Sequence, residues 1–194
     1  MTPFIAKAFW ICCVVSWWLI RLPYERKVKK NAIRSTKRDA WEITLLGISL
    51  TGLGLIPIAY VFTGFPAFAE RSFVPAVAWA GVIPALGSLW LFWRTHKDLG
   101  RNWSVSLEVR DQHELITNGV YRYVRHPMYA AFFLWALAQS LLLPNWVAGL
   151  SGIVGFGTLY AFRVGREEQL MLEAFGEQYR AYMARTARVL PWIH

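Results

Sequence analysis

Five apolar stretches, separated by polar segments of unequal charge, organise this chain. The first runs from Phe4 to Leu22 with Lys7 near its start and Arg21 at its end; the second and third cover about 41–62 and 73–93. Each approaches the roughly 20 residues that a membrane-spanning helix needs. The fourth, Met128–Leu143, and the fifth, Trp146–Phe162, are shorter, and Pro144-Asn145 between them is a turn signal. They predict a tight helical hairpin near the minimum spanning length. Gly47, Gly52 and Gly54 predict close helix approach in the second stretch, where Glu42 at the start reads as interfacial. Pro75 sits in a tolerated first turn, and Pro84 predicts a kink in the third stretch. From Arg163 to His194 the pattern becomes amphipathic, with Leu170, Phe175, Tyr179 and Tyr182 at helical spacing among charges. That segment is expected to lie on the membrane surface.

The expected fold class is therefore an all-α integral membrane protein with about five transmembrane helices. Composition agrees: 56% hydrophobic, 17% charged and 11 Trp, segregated into blocks that a soluble domain of this size could not bury. The net charge of +9 raises the question of nucleic acid, but the basic residues lie between the apolar runs. A loop from Arg21 to Asp39 and the polar segment 94–128 hold most of them, with five more after Phe162. Of the 21 Lys and Arg, only Lys7 and Arg71 fall on the opposite side of a five-span arrangement. This positive-inside asymmetry places the N-terminus outside and the polar segments in the cytosol. It leaves no call for a nucleic-acid partner. The first stretch reads as a retained helix, not a cleaved signal, because its basic residues follow the apolar core.

Metal chemistry is disfavoured. The four histidines, His96, His113, His126 and His194, show no i+3 or i+4 pairing, and Cys12 and Cys13 are adjacent in an apolar run. Glycine-rich nucleotide loops are missing as well. Two ionisable clusters stand out against the apolar background, and charge at a bilayer edge is costly unless it is used. The first is Gly119-Val120-Tyr121-Arg122-Tyr123-Val124-Arg125-His126-Pro127-Met128-Tyr129. Pro127 suits the first turn of the fourth helix, whose free N–H groups can receive an anion, with His126 and Tyr129 flanking it. The second is Arg163-Val164-Gly165-Arg166-Glu167-Glu168, where Arg163 and Glu167 share a helix face. Carboxylates beside an arginine suit a ligand bearing both charges, such as an amino-acid group. From the residues alone, lipid-headgroup contacts and a surface ion pair remain open for these clusters.

Taken together, four ordered pieces resemble the isoprenylcysteine carboxyl methyltransferase family, in particular its compact five-helix prokaryotic form. They are His113-Glu114-Leu115-Ile116-Thr117-Asn118-Gly119-Val120-Tyr121, then Arg125-His126-Pro127-Met128-Tyr129, then Arg163 with Glu167-Glu168, and finally Phe175-Gly176-Glu177-Gln178-Tyr179 with Leu190-Pro191-Trp192-Ile193. The resemblance covers about 95–194. It implies an S-adenosylmethionine-dependent carboxyl O-methyltransferase, releasing S-adenosylhomocysteine and acting on an isoprenylated cysteine or similar lipid-linked acid. It implies that His113, Glu114, Leu115 and Ile116 line the adenosine, and that Tyr121, His126, Pro127, Met128 and Tyr129 enclose the ribose and methionine. Glu167 would take the donor's ammonium with Glu168 adjacent, and Arg163 the acceptor carboxylate. Ala131, where the family often has glycine, and Gly165-Arg166 in the acidic string depart from its pattern. The chain then divides into three N-terminal helices, 1–93, and a catalytic part, 94–194, of one membrane domain. Its partners would be a prenyl-modified substrate and membrane lipid, with no metal. The scaffold leaves phospholipid or amine N-methylation as an alternative, and a non-catalytic transporter or scaffold as a more distant one.

Overall fold

The computed structural model describes residues 1–28, 33–36, 39–100, 108–110 and 115–191. Helix α1 spans Pro3–Val28. The second apolar stretch is one continuous rod, α2 (Ala40–Leu50), a π-helical turn (Thr51–Leu55) and α3 (Ile56–Thr63). Helix α4 covers Pro75–Leu99, α5 Pro127–Leu142, α6 Trp146–Phe175 and α7 Glu177–Arg185. Four of these rods are long and apolar enough to cross a membrane, and α5 is a shorter apolar helix. This is an integral membrane protein. Large apolar side chains such as Phe62, Phe68 and Ile83 point outward, as lipid-facing positions do.

One departure from the all-helical expectation is a two-stranded antiparallel ribbon, β1 (Ile33–Thr36) with β2 (Glu108–Arg110), which ties the basic loop to the polar segment. A second concerns the fifth apolar run. It does not stop at Phe162, because α6 continues unbroken for 30 residues to Phe175. Nothing between Arg163 and Phe175 breaks a helix, and Gly165 has open space around it. The amphipathic surface segment therefore begins as the end of a membrane helix, with α7 after the Gly176 bend. Helix α4 continues past Pro84 to Leu99.

The most extensive packing joins α4 to α5 and α5 to α6; α1 lies against α4 and α5. Trp10, Tyr60, Trp135 and Leu142 centre one buried cluster. A second, nearer the charged residues, gathers Leu45, Tyr129, Phe156 and Leu159. The α2–α3 rod meets α6 at a glycine contact. A Cβ on Gly52 would lie 2.2 Å from the Ser151 carbonyl oxygen, and one on Gly155 2.8 Å from that of Ile48. Gly47 and Gly54 touch no other helix, so of the three glycines expected to do this only Gly52 does, with Gly155 as its partner. The π turn belongs to the same contact. Pro57 lacks an N–H and disfavours regular α-helical bonding in the preceding turn. The Gly52 carbonyl turns outward and accepts from Gln139 Nε2 at 3.1 Å and Ser151 Oγ at 2.7 Å.

At the hairpin tip, Asn145 caps α6 by accepting from the Ala148 amide at 2.9 Å, and it donates to the Pro66 carbonyl at 2.8 Å. The turn read from Pro144-Asn145 is thus also a clamp on the loop after α3. Its effect on the site is indirect but firm: it sets where α6 starts and hence where Arg163 emerges.

Candidate active site

The site forms where α5 begins and α6 returns. Pro127 opens α5, as the sequence pattern predicted, and His126 occupies the cap position without a side-chain cap bond. The chain before it is held by two backbone bonds to the C-terminal segment, Arg125 N to Ala187 O at 2.8 Å and His126 N to Arg188 O at 2.9 Å. Upstream, Gly119 adopts φ +59°, and the last turn of α4 supplies Asp98, whose Oδ2 accepts from the Val120 amide at 2.9 Å. A side chain at 119 would collide with that carboxylate. Asp98 thereby fixes the turn that delivers Tyr121. The Tyr182 hydroxyl of α7 donates to the Tyr121 carbonyl at 2.6 Å. Burial first, and the Glu167 carboxylate second, raise the Tyr121 phenol well above its ordinary range. Burial raises that of Tyr182 too, so both remain protonated.

His126 and Tyr129 are buried and stack, with ring centroids 5.2 Å apart and planes 20° apart. The Tyr129 hydroxyl donates to Glu167 Oε2, and His126 Nδ1 lies 3.7 Å from Glu167 Oε1. Glu167 keeps a third of its side chain exposed, so it is an accessible carboxylate beside two aromatic rings. Glu168 differs sharply. Its buried carboxylate accepts from Arg125 Nε at 3.1 Å and Arg188 Nη2 at 2.6 Å, with His126 Nε2 at 3.2 Å. Arg125 also donates to the Met183 and Thr186 carbonyls. Pairing with Glu168 raises the Arg188 guanidinium above its ordinary value. Neighbouring glutamates therefore have separate tasks: one faces open space, and the other binds the C-terminal segment to the start of α5.

Arg163 is buried, and its Nε lies 3.3 Å from Oε1 of Glu42. Glu42 is fully buried in the first turn of α2. Tyr129, Glu167 and Glu42 are all within electrostatic reach of Arg163. One turn of α6 further on, Arg166 Nη2 donates to Asp39 Oδ2 at 2.7 Å, and Asp39 caps α2 by accepting from the Glu42 amide at 2.8 Å. The Arg166 hydrogen bond, then the Glu42 amide, hold the Asp39 carboxyl below its usual range.

Of the residues expected at the site, Tyr121, His126, Pro127, Tyr129, Arg163, Glu167 and Glu168 are brought to one end of the bundle. Met128, Leu115 and Ile116 are half-buried. His113 and Glu114 lie outside the described residues. Sequence reasoning missed Glu42, Asp98 and Arg188. Glu42 had a signal, an acid inside an apolar stretch; Asp98 and Arg188 had none that spacing could carry. Among the described residues no cluster of His, Cys, Asp and Glu could hold a metal ion.

Beside this centre a groove of about 1260 Å³ opens between α4, α5, α6 and the stretch 189–191, lined by Trp90, Phe133, Leu137, Tyr160 and Val189 among others. Phe133 and Tyr160 lie edge-on to each other, and Tyr160 lies edge-on to Tyr129, so the groove wall adjoins the polar centre.

A family model described as "Isoprenylcysteine carboxyl methyltransferase (ICMT) family" matches residues 80–173. Through that segment, just under half of its length, the chain is similar to the isoprenylcysteine carboxyl methyltransferase family. The match contains α5, the turn before it and nearly all of α6, hence the site from Asp98 to Glu168. Among curated relatives, the protein-S-isoprenylcysteine O-methyltransferase of Dictyostelium discoideum is 35% identical over 94 residues, 46% of this chain and 38% of that protein. The Homo sapiens protein of the same name is 35% identical over 92 residues, 47% of this chain and 32% of its own length. The chain thus spans well under half the length of these relatives. A solved structure of the eukaryotic intramembrane Ras methyltransferase ICMT matches with a TM-score of 0.56 at 23% identity, over 80% of this chain and 54% of that one. That likeness carries the fold.

Proposed function

We propose that this protein is a membrane-embedded methyltransferase that esterifies the carboxylate of a C-terminal isoprenylated cysteine or a similar lipid-linked acid, with S-adenosylmethionine as donor. The observation that carries the reading is the meeting of Arg163, Tyr129 and Glu167 beside an apolar groove, within the segment that matches the ICMT family. A donor bearing an ammonium and an adenosine fits the residues present. Glu167 is an accessible carboxylate for the ammonium, and Tyr121, His126 and Tyr129 provide the enclosing walls, with Leu115 and Ile116 on the adenosine side. When bound, the donor supplies an electrophilic methyl group.

The chain's own residues then have a limited task. A carboxylate is ionised at neutral pH, with an ordinary pKa near 4, so the acceptor needs no general base. Arg163 holds that carboxylate through a planar guanidinium fork and neutralises it in a buried setting. His126, Tyr129 and the buried side chains of Phe156 and Leu159 exclude water. Alignment and desolvation supply the rate. The groove accepts an apolar chain of the acceptor while its charged end reaches Arg163. On this reading the charged end of the bundle faces the cytosol.

The test is methyl transfer by purified protein to an S-farnesylated, N-acylated cysteine, with a phosphatidylethanolamine assayed in parallel. Transfer to the cysteine carboxylate is expected. Transfer to the lipid amine alone would replace this reading with N-methylation, and transfer to neither would remove it.

A further inference from the structure

Among the described residues near the centre, Glu42 is a buried acid to which neither the reaction just described nor the Glu168 clamp gives a task. It is wholly buried, and neither carboxylate oxygen accepts a hydrogen bond from a described residue. Its counter-charge is Arg163, with Nε at 3.3 Å. A buried carboxylate is costly unless it is paired and hydrogen-bonded. Holding α2 to α6 does not require that cost. The Gly52–Gly155 contact, the Gln139 and Ser151 bonds and the Asp39–Arg166 pair already join the two rods.

We infer that Glu42 is a positioning residue for the methyl acceptor: by taking the Nε edge of Arg163, it turns the Nη end of the guanidinium towards the acceptor carboxylate beside Tyr129 and Glu167. This rests on the assignment of Arg163 to the acceptor. An arginine side chain has several rotatable bonds, and a bidentate grip requires its plane to be set in advance. The short first turn of α2, anchored by the Asp39 cap, provides a rigid base for the residue that sets it. The consequence is asymmetric. Altering Glu42 misdirects the acceptor's ligand, whereas the donor's walls, on the 115–129 segment and Glu167, keep their supports.

The experiment compares wild type with Glu42→Gln and Glu42→Asp. Each is measured for farnesylated-cysteine KM and kcat, for farnesylated-cysteine binding without donor, and for S-adenosylhomocysteine binding by calorimetry. Glu42→Gln keeps the shape and removes the charge. It is expected to raise the acceptor KM and Kd roughly tenfold to a hundredfold, the scale of a charge-assisted contact, with the S-adenosylhomocysteine Kd within about twofold. Glu42→Asp keeps the charge but withdraws it, and is expected to weaken the acceptor by less than Glu42→Gln does. Unchanged acceptor binding in Glu42→Gln overturns the inference. So does parallel loss of both ligands in both variants, which marks a purely structural pair. Should Glu42→Gln fail to fold, Glu42→Asp decides alone, and unchanged acceptor binding there overturns the inference. Wild-type protein that transfers no methyl group defeats the underlying assignment; wild-type transfer with an unshifted variant defeats only the role of Glu42.

Discussion

Two adjacent glutamates on α6 show how much one residue's surroundings decide. Glu167 and Glu168 are the same side chain one position apart, yet rotation by about 100° along a helix gives them different worlds. Glu167 leans towards Tyr129 and keeps an exposed edge, so it can meet a ligand. Glu168 is committed to Arg125 and Arg188. The proposal accordingly gives Glu167 the ligand-facing role and leaves Glu168 the task of shaping the wall that His126 belongs to. Arg163 provides the clearest single-residue test. Arg163→Ala should lower methyl transfer by at least about a hundredfold, as loss of a preorganised electrostatic contact does, while S-adenosylhomocysteine binding changes little. Equal loss of both, by calorimetry and transfer assay on the same preparation, would refute its assignment to the acceptor. Lysine should rescue poorly, because an ammonium cannot reproduce the planar fork.

Among the elements, the rod formed by α2, the π turn and α3 is the least regular and the most closely fitted. Its wide turn would leave the Gly52 carbonyl without a partner in an apolar bundle, and Gln139 and Ser151 supply the missing donors from α5 and α6. Backbone contact is possible there because neither Gly52 nor Gly155 carries a side chain. Gly52→Ala would place a methyl 2.2 Å from the Ser151 carbonyl oxygen, so the rods must separate. The expected result is destabilisation by about 1–3 kcal/mol, the usual range for overpacking, read as a lower unfolding midpoint in detergent. Gly47→Ala, with nothing within 4 Å, serves as the matched control and should be neutral or slightly stabilising. Since α2 also carries Glu42, the Gly52 variant should weaken acceptor binding more than donor binding.

On the scale of the whole molecule, the polar chemistry lies at one end of the bundle and the hairpin tip at the other. At the tip Arg71 donates to the Ser140 and Leu143 carbonyls and sits 5.0 Å from the Trp146 ring centroid. From the distribution of Lys and Arg we propose that the charged end faces the cytosol. In a background with Cys12 and Cys13 replaced by alanine, single cysteines at Phe68 and Glu173 should label from opposite sides of sealed vesicles. An impermeant maleimide should reach position 173 only in inverted vesicles and position 68 only in right-side-out ones. The reverse pattern would reverse the orientation.

What the sequence determined by itself was the set of apolar rods, the hairpin turn, the proline start of α5 and the two clusters that α5 and α6 bring together. These are local in character: hydropathy over a window, proline geometry and helical spacing are all written in neighbouring residues. The length of α6 was underestimated because a hydropathy boundary at Arg163 is not a helix boundary; nothing there interrupts the backbone bonding. Tertiary structure alone decided that Glu42 meets Arg163, that Arg188 returns to Glu168, that Asp98 holds the turn at Gly119 and that β1 finds β2. Each of these pairs charges or backbone groups from distant parts of the chain. Their partners depend on how whole rods pack, and no periodicity within a single rod encodes that.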